Sequence, residues 1–303
     1  MAAGPACEFE EQRARLFGLA YRLLGSAADA EDVVQDTYVR WSGADQAAIV
    51  APPAWLARVA TNLCLNRLAS ARARREVYIG PWLPEPVLTS DGTLGPMESA
   101  AQRDSVSLAL LVLLERLTPA ERAVFVLREA FGYGYRDIAA ILGLSEVNCR
   151  QLHRRVRQRL PAATSRFAPD RGQWRDLVDR FLAAARDGDL LGLERLLAAD
   201  VTAWADGGGK VVAARRPVLG RARVARYLAG ITRFGAGLQI SVAEVNGAPA
   251  VLGTRAGTLA GVLVLEVSGD QITAVRLMSN PDKLGFASRQ VARLSRLSPV
   301  IGL

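Results

Sequence analysis

Residues 76–98 read EVYIGPWLPEPVLTSDGTLGPME, and no regular element can run through them. Four prolines each fix φ and remove a backbone donor, and three glycines loosen what remains. The stretch divides the 303-residue chain, so each side must build its own core. A second joint, PAATSRFAPDRG from Pro161, stops the next helical run in the same way. The expected organisation is a segment 1–75, a linker 76–98, a segment 99–165 and a segment 168–303.

Residues 9–75 and 99–160 carry apolar side chains at helical spacing almost throughout. Both segments are expected to be all-α. The last segment opens with helices expected near 173–186 and 189–198. Short β-rich runs follow (VTAWAD, KVVAARRPVL, LQISVAEV, GTLAGVLVLEV, ITAVRLMS), with a helix near 221–233 among them. Helices first and then a mostly antiparallel sheet is an α+β pattern.

Charge narrows the partners. The net charge of +8 favours a polyanion, most simply nucleic acid. No apolar run approaches the roughly 20 residues of a membrane span, and MAAGPACEFEEQRARLF lacks a signal-peptide core. Cys7, Cys64 and Cys149 are scattered without CxxC spacing, which argues against a disulfide framework and a zinc site. The expectation is a cytoplasmic protein with no membrane, cofactor or metal.

The strongest local pattern is YRDIAAILGLSEVNCRQLHRRVRQRL, residues 135–160. Ile138, Ile141 and Leu142 form an apolar stripe on a short helix that Gly143 ends and Ser145 re-caps. In the next helix Cys149, Leu152, Val156 and Leu160 fall within an arc of roughly 80°. Arg150, Arg154 and Arg157 stand opposite, with Gln151, Arg155 and Gln158 beside them. One face packs while the other offers forked donors suited to guanine edges and phosphates. Two helices joined by a short glycine-containing turn make a helix-turn-helix. His153 lies between the arcs, placed for packing or for a phosphate.

The first segment adds two more faces. Ser26 and Asp29 have capping-box spacing, and Val33, Val34, Thr37, Tyr38 and Trp41 form the inner stripe of the helix they open. Glu31, Asp32, Gln35 and Asp36 form an acidic outer patch, which would repel DNA and so suits a protein. In PPAWLARVATNLCLNRLASARARR, Leu56, Val59, Ala60 and Leu63 make the packing face. Trp55, Arg58, Asn62 and Asn66 fall on another stripe, where a ring, a guanidinium and two amides suit an unpaired base.

The segment LTPAERAVFVLREAFGYGYRDIAAILGLSEVNCRQLHRRVRQRL resembles region 4 of bacterial extracytoplasmic-function sigma factors, which reads the −35 promoter element. That resemblance implies that Arg150, Gln151, Arg154 and Arg155 face bases and phosphates. LFGLAYRLLGSAADAEDVVQDTYVRW resembles region 2.2, implying that Glu31, Asp32, Gln35 and Asp36 dock on the β′ coiled coil of RNA polymerase core. The helix from Pro52 resembles regions 2.3–2.4, which melt the −10 element. Asn62 then takes the flipped base, Trp55, Arg58 and Asn66 flank it, and Arg67, Arg72, Arg74 and Arg75 follow the backbone. Two elements one to two turns apart are roughly 35–70 Å apart on B-DNA, and about 25 linker residues extend to roughly 80 Å.

The last segment resembles the SnoaL-like curved-sheet fold. YIGPWLPEP, DGGGK (Asp206, Gly207, Gly208, Gly209, Lys210) and NPDKL (Asn280, Pro281, Asp282, Lys283, Leu284) narrow the likeness to sigma factors bearing that domain. On the residues alone, 206–210 is a hairpin turn and 280–282 a turn after the last strand. The resemblance implies that both strings make a regulatory contact with the sigma core in cis. Relatives on this fold use an Asp or His base in an apolar cone; here the one histidine is in the basic helix and Asp206 has no paired acid, so no enzyme is expected. Trp204, Tyr227, Phe234 and Met278 would line a pocket for an unknown small-molecule ligand or simply fill the core. The competing reading is a SnoaL-type enzyme or small-molecule-binding protein fused to a DNA-binding module; only a sigma factor must bind core polymerase.

Overall fold

The computed structural model describes residues 5–76, 78–89, 92–94, 105–160, 171–234 and 237–297. The joint at 161–170, the expected helical residues 99–104 and the side chains of Arg72, Arg74, Arg75 and Phe234 lie outside that description. The chain forms two units, one of residues 1–77 with 89–163 and one of residues 78–88 with 164–303. The division runs through the proline-rich stretch, whose residues 78–88 belong with the C-terminal unit.

In the first unit, α1 (Pro5–Leu24) and α2 (Ala27–Ser42) meet at a turn where the Ser26 hydroxyl accepts from the Asp29 amide at 3.0 Å. Helix α3 (Pro52–Glu76) packs across both. Leu16, Leu19, Ala20, Leu23, Val33, Val34, Trp41, Leu56, Ala60 and Leu63 are all buried, as their spacing requires. After α4 (Leu108–Leu114), helix α5 (Pro119–Glu129) opens with a reciprocal box: Thr118 Oγ1 accepts from the Glu121 amide while Glu121 Oε2 accepts from the Thr118 amide. Helices α6 (Tyr135–Leu142) and α7 (Glu146–Arg159) follow, separated by Gly143 at φ +65 and by Ser145, whose hydroxyl caps Asn148.

Helix α3 packs on α5 and α6, and α1 on α5. This junction is unusually polar. Arg22 of α1 and Arg122 of α5 are each only 2% exposed. Arg22 Nε donates to Ser105 at 2.7 Å, and Arg122 pairs with Glu115 at 2.5 Å and reaches the Arg22 carbonyl at 3.4 Å. Burial pulls the Arg22 guanidinium down to about 10 and that of Arg122 to about 9. Desolvated guanidiniums recover little more than their burial costs, so this contact is a weak adhesive compared with an apolar one.

The second unit begins with α8 (Arg171–Asp187) and α9 (Leu190–Leu196). Its strands are β1 (Leu197–Asp206), β2 (Val218–Leu219), β3 (Gln239–Val245), β4 (Ala248–Arg255), β5 (Thr258–Ser268) and β6 (Gln271–Met278). Helix α10 (Arg221–Phe234) lies between β2 and β3, and α11 (Pro281–Leu297) follows β6. The sheet order is β2-β1-β6-β5-β4-β3, parallel between β1 and β6 and otherwise antiparallel. Register shifts in β1, at Gly253/Thr254 and at Glu266/Val267 bend the strands, so the sheet curves as expected.

Several sequence expectations need correction. KVVAARRPVL yields only the two-residue β2 at its end, and residues 207–217 form an irregular excursion rather than a tight hairpin turn. Strand β4 is not among the expected β-rich runs, because Pro249 and Gly253 interrupt its apolar pattern. Trp204, Tyr227 and Met278 do not line one pocket. Val201, Ala203 and Val275 share a core with α8, α9 and α10, against which Tyr227 packs. By the two-residue alternation of a strand, Trp204 and Met278 point to the other face. There the Arg276 guanidinium lies 4.5 Å from the Trp204 ring and pairs with Glu266 at 2.6 Å.

Candidate nucleic-acid interface and linker clasp

Helix α7 is held by one side and offers the other. Cys149, His153 and Val156 are buried, while Arg150, Gln151, Arg154, Arg155, Arg157 and Gln158 are exposed. Leu152 and Leu160 are half-buried at the edge of the packing arc. His153 is 7% exposed; its Nε2 meets Glu129 at 2.7 Å and its Nδ1 meets the Tyr135 hydroxyl at 3.0 Å. The histidine therefore ties α5, α6 and α7 together and is not available to a phosphate. Its hydrogen bond holds the Glu129 carboxyl below the usual range. Arg150 pairs with Glu146 and lies 5.0 Å from the Tyr135 ring, whereas Arg154 enters no ion pair among the described residues.

On α3, Arg58, Asn62 and Asn66 are exposed. Trp55 is half-buried, its ring 5.6 Å from that of Trp41. Trp55 and Arg58 line an open cavity of about 550 Å³ with Val50, Tyr133, Asp137 and Ile141. Residues of α6 and the turn before it thus share a cavity with half of the stripe expected to take an unpaired base. Arg67 is not a free backbone contact: it binds the Asp29 carbonyl at 3.0 Å and Asp36 at 2.9 Å, fixing α3 to α2. Asp36 accordingly serves packing as well as the outer face. Asp32 and Gln35 are exposed.

The second site is a clasp around the linker. Asp206, at the end of β1, is wholly buried. Its Oδ1 accepts from the Tyr78 hydroxyl at 2.5 Å and the Gly208 amide at 3.2 Å; its Oδ2 accepts from the Leu83 amide at 2.8 Å and Lys283 Nζ at 2.7 Å. Lys283 Nζ also donates to the Leu83 carbonyl at 2.6 Å and sits 4.6 Å from the Tyr78 ring and 4.3 Å from that of Trp82. Burial, followed by the Asp206 contact, pushes the Tyr78 phenol well above its usual range, so it remains a donor. Asn280 caps α11 by accepting from the Asp282 amide and donates to the Tyr78 oxygen at 2.8 Å. Lys210 bridges to Asp282 at 2.7 Å.

Two glycines are explained by this geometry. A Cβ at Gly208, where φ is +60, would meet Asn280 Nδ2 at 2.2 Å, and one at Gly209 would meet Ile79 at 2.9 Å. NPDKL is a helix start rather than a free turn. Pro281 opens α11, and Leu284 is buried.

Sequence reasoning missed two further clasp residues. Asn246 and Val87 exchange hydrogen bonds, the Val87 amide to Oδ1 at 3.1 Å and the Asn246 amide to the Val87 carbonyl at 2.9 Å. Gln290 of α11 receives the Leu88 amide at 2.9 Å and donates to the Leu88 carbonyl at 3.2 Å. Leu83, Pro84, Glu85, Pro86, Val87 and Leu88 are all buried. Two prolines leave this stretch few amides to donate; the Asp206 carboxylate serves that of Leu83, and side-chain amides serve those of Val87 and Leu88. The available signal was Asn246-Gly247, legible as a hairpin turn but not as a linker contact.

These elements define a two-module DNA-binding factor carrying a fused α+β domain. Residues 9–74 match the model for Sigma-70 region 2, and residues 107–160 that for Sigma-70 region 4. The chain is 38% identical to the ECF RNA polymerase sigma factor SigJ of Mycobacterium tuberculosis, over 91% of this chain and 92% of that one. It is 35% identical to the probable ECF sigma factor SigI of the same species, covering 90% and 92%. The crystal structure of SigJ superposes with a TM-score of 0.71 at 33% identity, covering 92% of this chain and 98% of that one. The chain belongs to the extracytoplasmic-function RNA polymerase sigma factor family. It is thus a transcription initiation factor, not an enzyme, and its partners are RNA polymerase core and promoter DNA. No helix of the described residues is long and apolar enough to cross a membrane.

Proposed function

We propose that the C-terminal domain regulates this sigma factor in cis by holding the connection between its two DNA-reading regions, and that the arrangement of the first unit is a resting state. Arg150, Gln151, Arg154 and Arg155 read the −35 element, and Trp55, Arg58, Asn62 and Asn66 take the melted −10 strand. Glu31, Asp32 and Gln35, with Asp36 at the edge, dock on the β′ coiled coil. One observation carries the regulatory reading. Residues 78–88, which lie between the two regions, are fastened by Asp206, Asn246, Lys283 and Gln290 of the C-terminal domain.

Spacing supports the resting state. Helices in contact have axes roughly 8–10 Å apart, and only α6 separates α3 from α7. Promoter elements roughly 35–70 Å apart cannot be engaged from that arrangement. Opening must part α1 and α3 from α5 and α6, and the buried arginines between α1 and α5 make that junction separable. Polymerase binding would favour the open form by its greater affinity for it.

Reporter output and core-polymerase affinity should be compared for the full chain, 1–284 and 1–167. The shorter truncation removes Gln290 and most of α11, so it should loosen the clasp and already change output; 1–167 removes every clasp residue and should change it further. Identical behaviour of all three would end the cis-regulation reading. Base reading is tested separately: Arg154→Ala should cost about 1–3 kcal/mol of discrimination between a mapped −35 element and a mutated one in run-off transcription. An unchanged preference would remove Arg154 from the base-reading face.

A further inference from the structure

The net positive charge of this factor is not in the half that holds its DNA-reading regions. Residues 1–163 hold 19 Lys and Arg against 18 Asp and Glu, whereas residues 164–303 hold 19 against 12. The excess is concentrated further. Between Asp206 and Glu244 there are seven Lys and Arg and no acidic residue at all.

The structure gathers much of this stretch onto one surface. Arg215 and Arg216 are exposed on the turn before β2, and Arg223 and Arg226 are exposed on the first two turns of α10. Strand β2, which follows that turn directly, packs against α10, keeping the turn beside the helix that carries Arg223 and Arg226. Arg215, Arg216, Arg223 and Arg226 enter no ion pair among the described residues. Arg221 is half-buried at the start of α10, and its Nε has no hydrogen-bond partner there. Lys210 differs, being paired with Asp282 in the clasp.

A solvated helix face does not account for this arrangement. Arg221 and Arg223 occupy the first turn of α10, where the helix dipole favours anions, and that turn has no acidic residue. These cations oppose the helix they sit on. A surface meeting another protein would also be expected to mix both signs, and the centre of such interfaces is poor in charge. Uniform arginine suits a uniformly negative polymer with one charge per roughly 1.7 Å.

We infer that Arg215, Arg216, Arg223 and Arg226, with Arg221 behind them, form a third DNA contact: a sequence-independent seat for duplex phosphates on the C-terminal domain. The inference rests on the family assignment, which brings duplex DNA to the factor, and does not depend on the clasp. Regions 2 and 4 then supply sequence, and the fused domain supplies much of the electrostatic attraction.

The test compares the full chain with its Arg215→Gln/Arg216→Gln/Arg223→Gln/Arg226→Gln variant. The probe is a fluorescein-labelled 40-base-pair duplex of arbitrary sequence, followed by anisotropy from 50 to 200 mM KCl. Each lost phosphate contact lowers the slope of log affinity against log salt by about 0.9. Across that range the native chain should therefore lose on the order of 100-fold more affinity than the variant. Arg180→Gln/Arg186→Gln, on the mixed-charge face of α8, should leave the slope unchanged and controls for loss of arginine elsewhere on the domain. Thermal unfolding of the quadruple variant should match the native chain, since none of the four makes an ion pair. Preference for a mapped promoter should persist in the quadruple variant and fall in Arg154→Ala, separating failure of this seat from failure of the base-reading helix. An unchanged salt slope overturns the inference. If that is accompanied by weaker binding to core polymerase, the surface is a protein contact instead.

Discussion

Asp206→Ala is expected to destabilise the C-terminal unit by about 3–5 kcal/mol and to release the linker. It removes the partner of a buried ammonium, and an uncompensated buried charge is among the costliest defects a single substitution can create. Tyr78 and the Leu83 amide lose their acceptor at the same time. Urea titration should show the midpoint fall, and limited proteolysis should cut near residues 78–88, which the native chain protects. Lys283→Met added to Asp206→Ala should recover much of the stability, because the charge itself is then gone, while the linker stays loose. A single variant as stable and as protease-resistant as the native chain would show that the clasp does not hold the linker.

Asn62→Ala should abolish or sharply reduce promoter melting while leaving polymerase binding intact. Asn62 is exposed on α3, so its loss costs the fold little. Losing the amide would leave the extruded base without a hydrogen-bond partner, which costs about 1–3 kcal/mol, a factor of roughly 5 to 150 in open complex. Permanganate reactivity of unpaired thymines reports this directly. Charge reversal at Asp32, which makes no packing contact comparable to the Asp36–Arg67 pair, should show the opposite profile: weaker polymerase binding with intrinsic melting contacts unchanged. If Asn62→Ala melts the promoter fully, the base pocket must be assigned elsewhere on α3.

The helical half was legible because its signals are local. Gly143, Ser145 and the 3.6-residue arcs of α7 lie within a few turns of one another, and so do Ser26 and Asp29. The C-terminal half was less so, for an equally physical reason. A strand exists only when paired: Val211 and Val212 favour β structure in isolation, but no strand pairs with them, and both are exposed. Trp204 and Met278 do share a face, but Tyr227 packs on the opposite one with Ala203 and Val275, a separation set by where α10 docks and not by the strand period. The DGGGK and NPDKL strings hold Asp206, Asn280 and Lys283, which bond the linker. What they could not reveal was that Asp206 and Lys283 close on the linker, because that contact joins positions 123 and 200 residues from Leu83.

That separation gives the clasp a timetable. A chain emerging from the ribosome at about 5–20 residues per second presents Tyr78 and Leu88 long before Asn280 and Gln290 exist. The contacts span 202 residues in both cases, an interval of roughly 10–40 s. The region 4 match ends at residue 160, so under the proposed cis regulation each newly made molecule has both DNA-reading regions before its restraint. Any interruption of synthesis or cleavage within α11 would prolong that state. Under the proposed cis regulation the restraint arrives last, and the order of translation sets a brief period in which the factor is free to act.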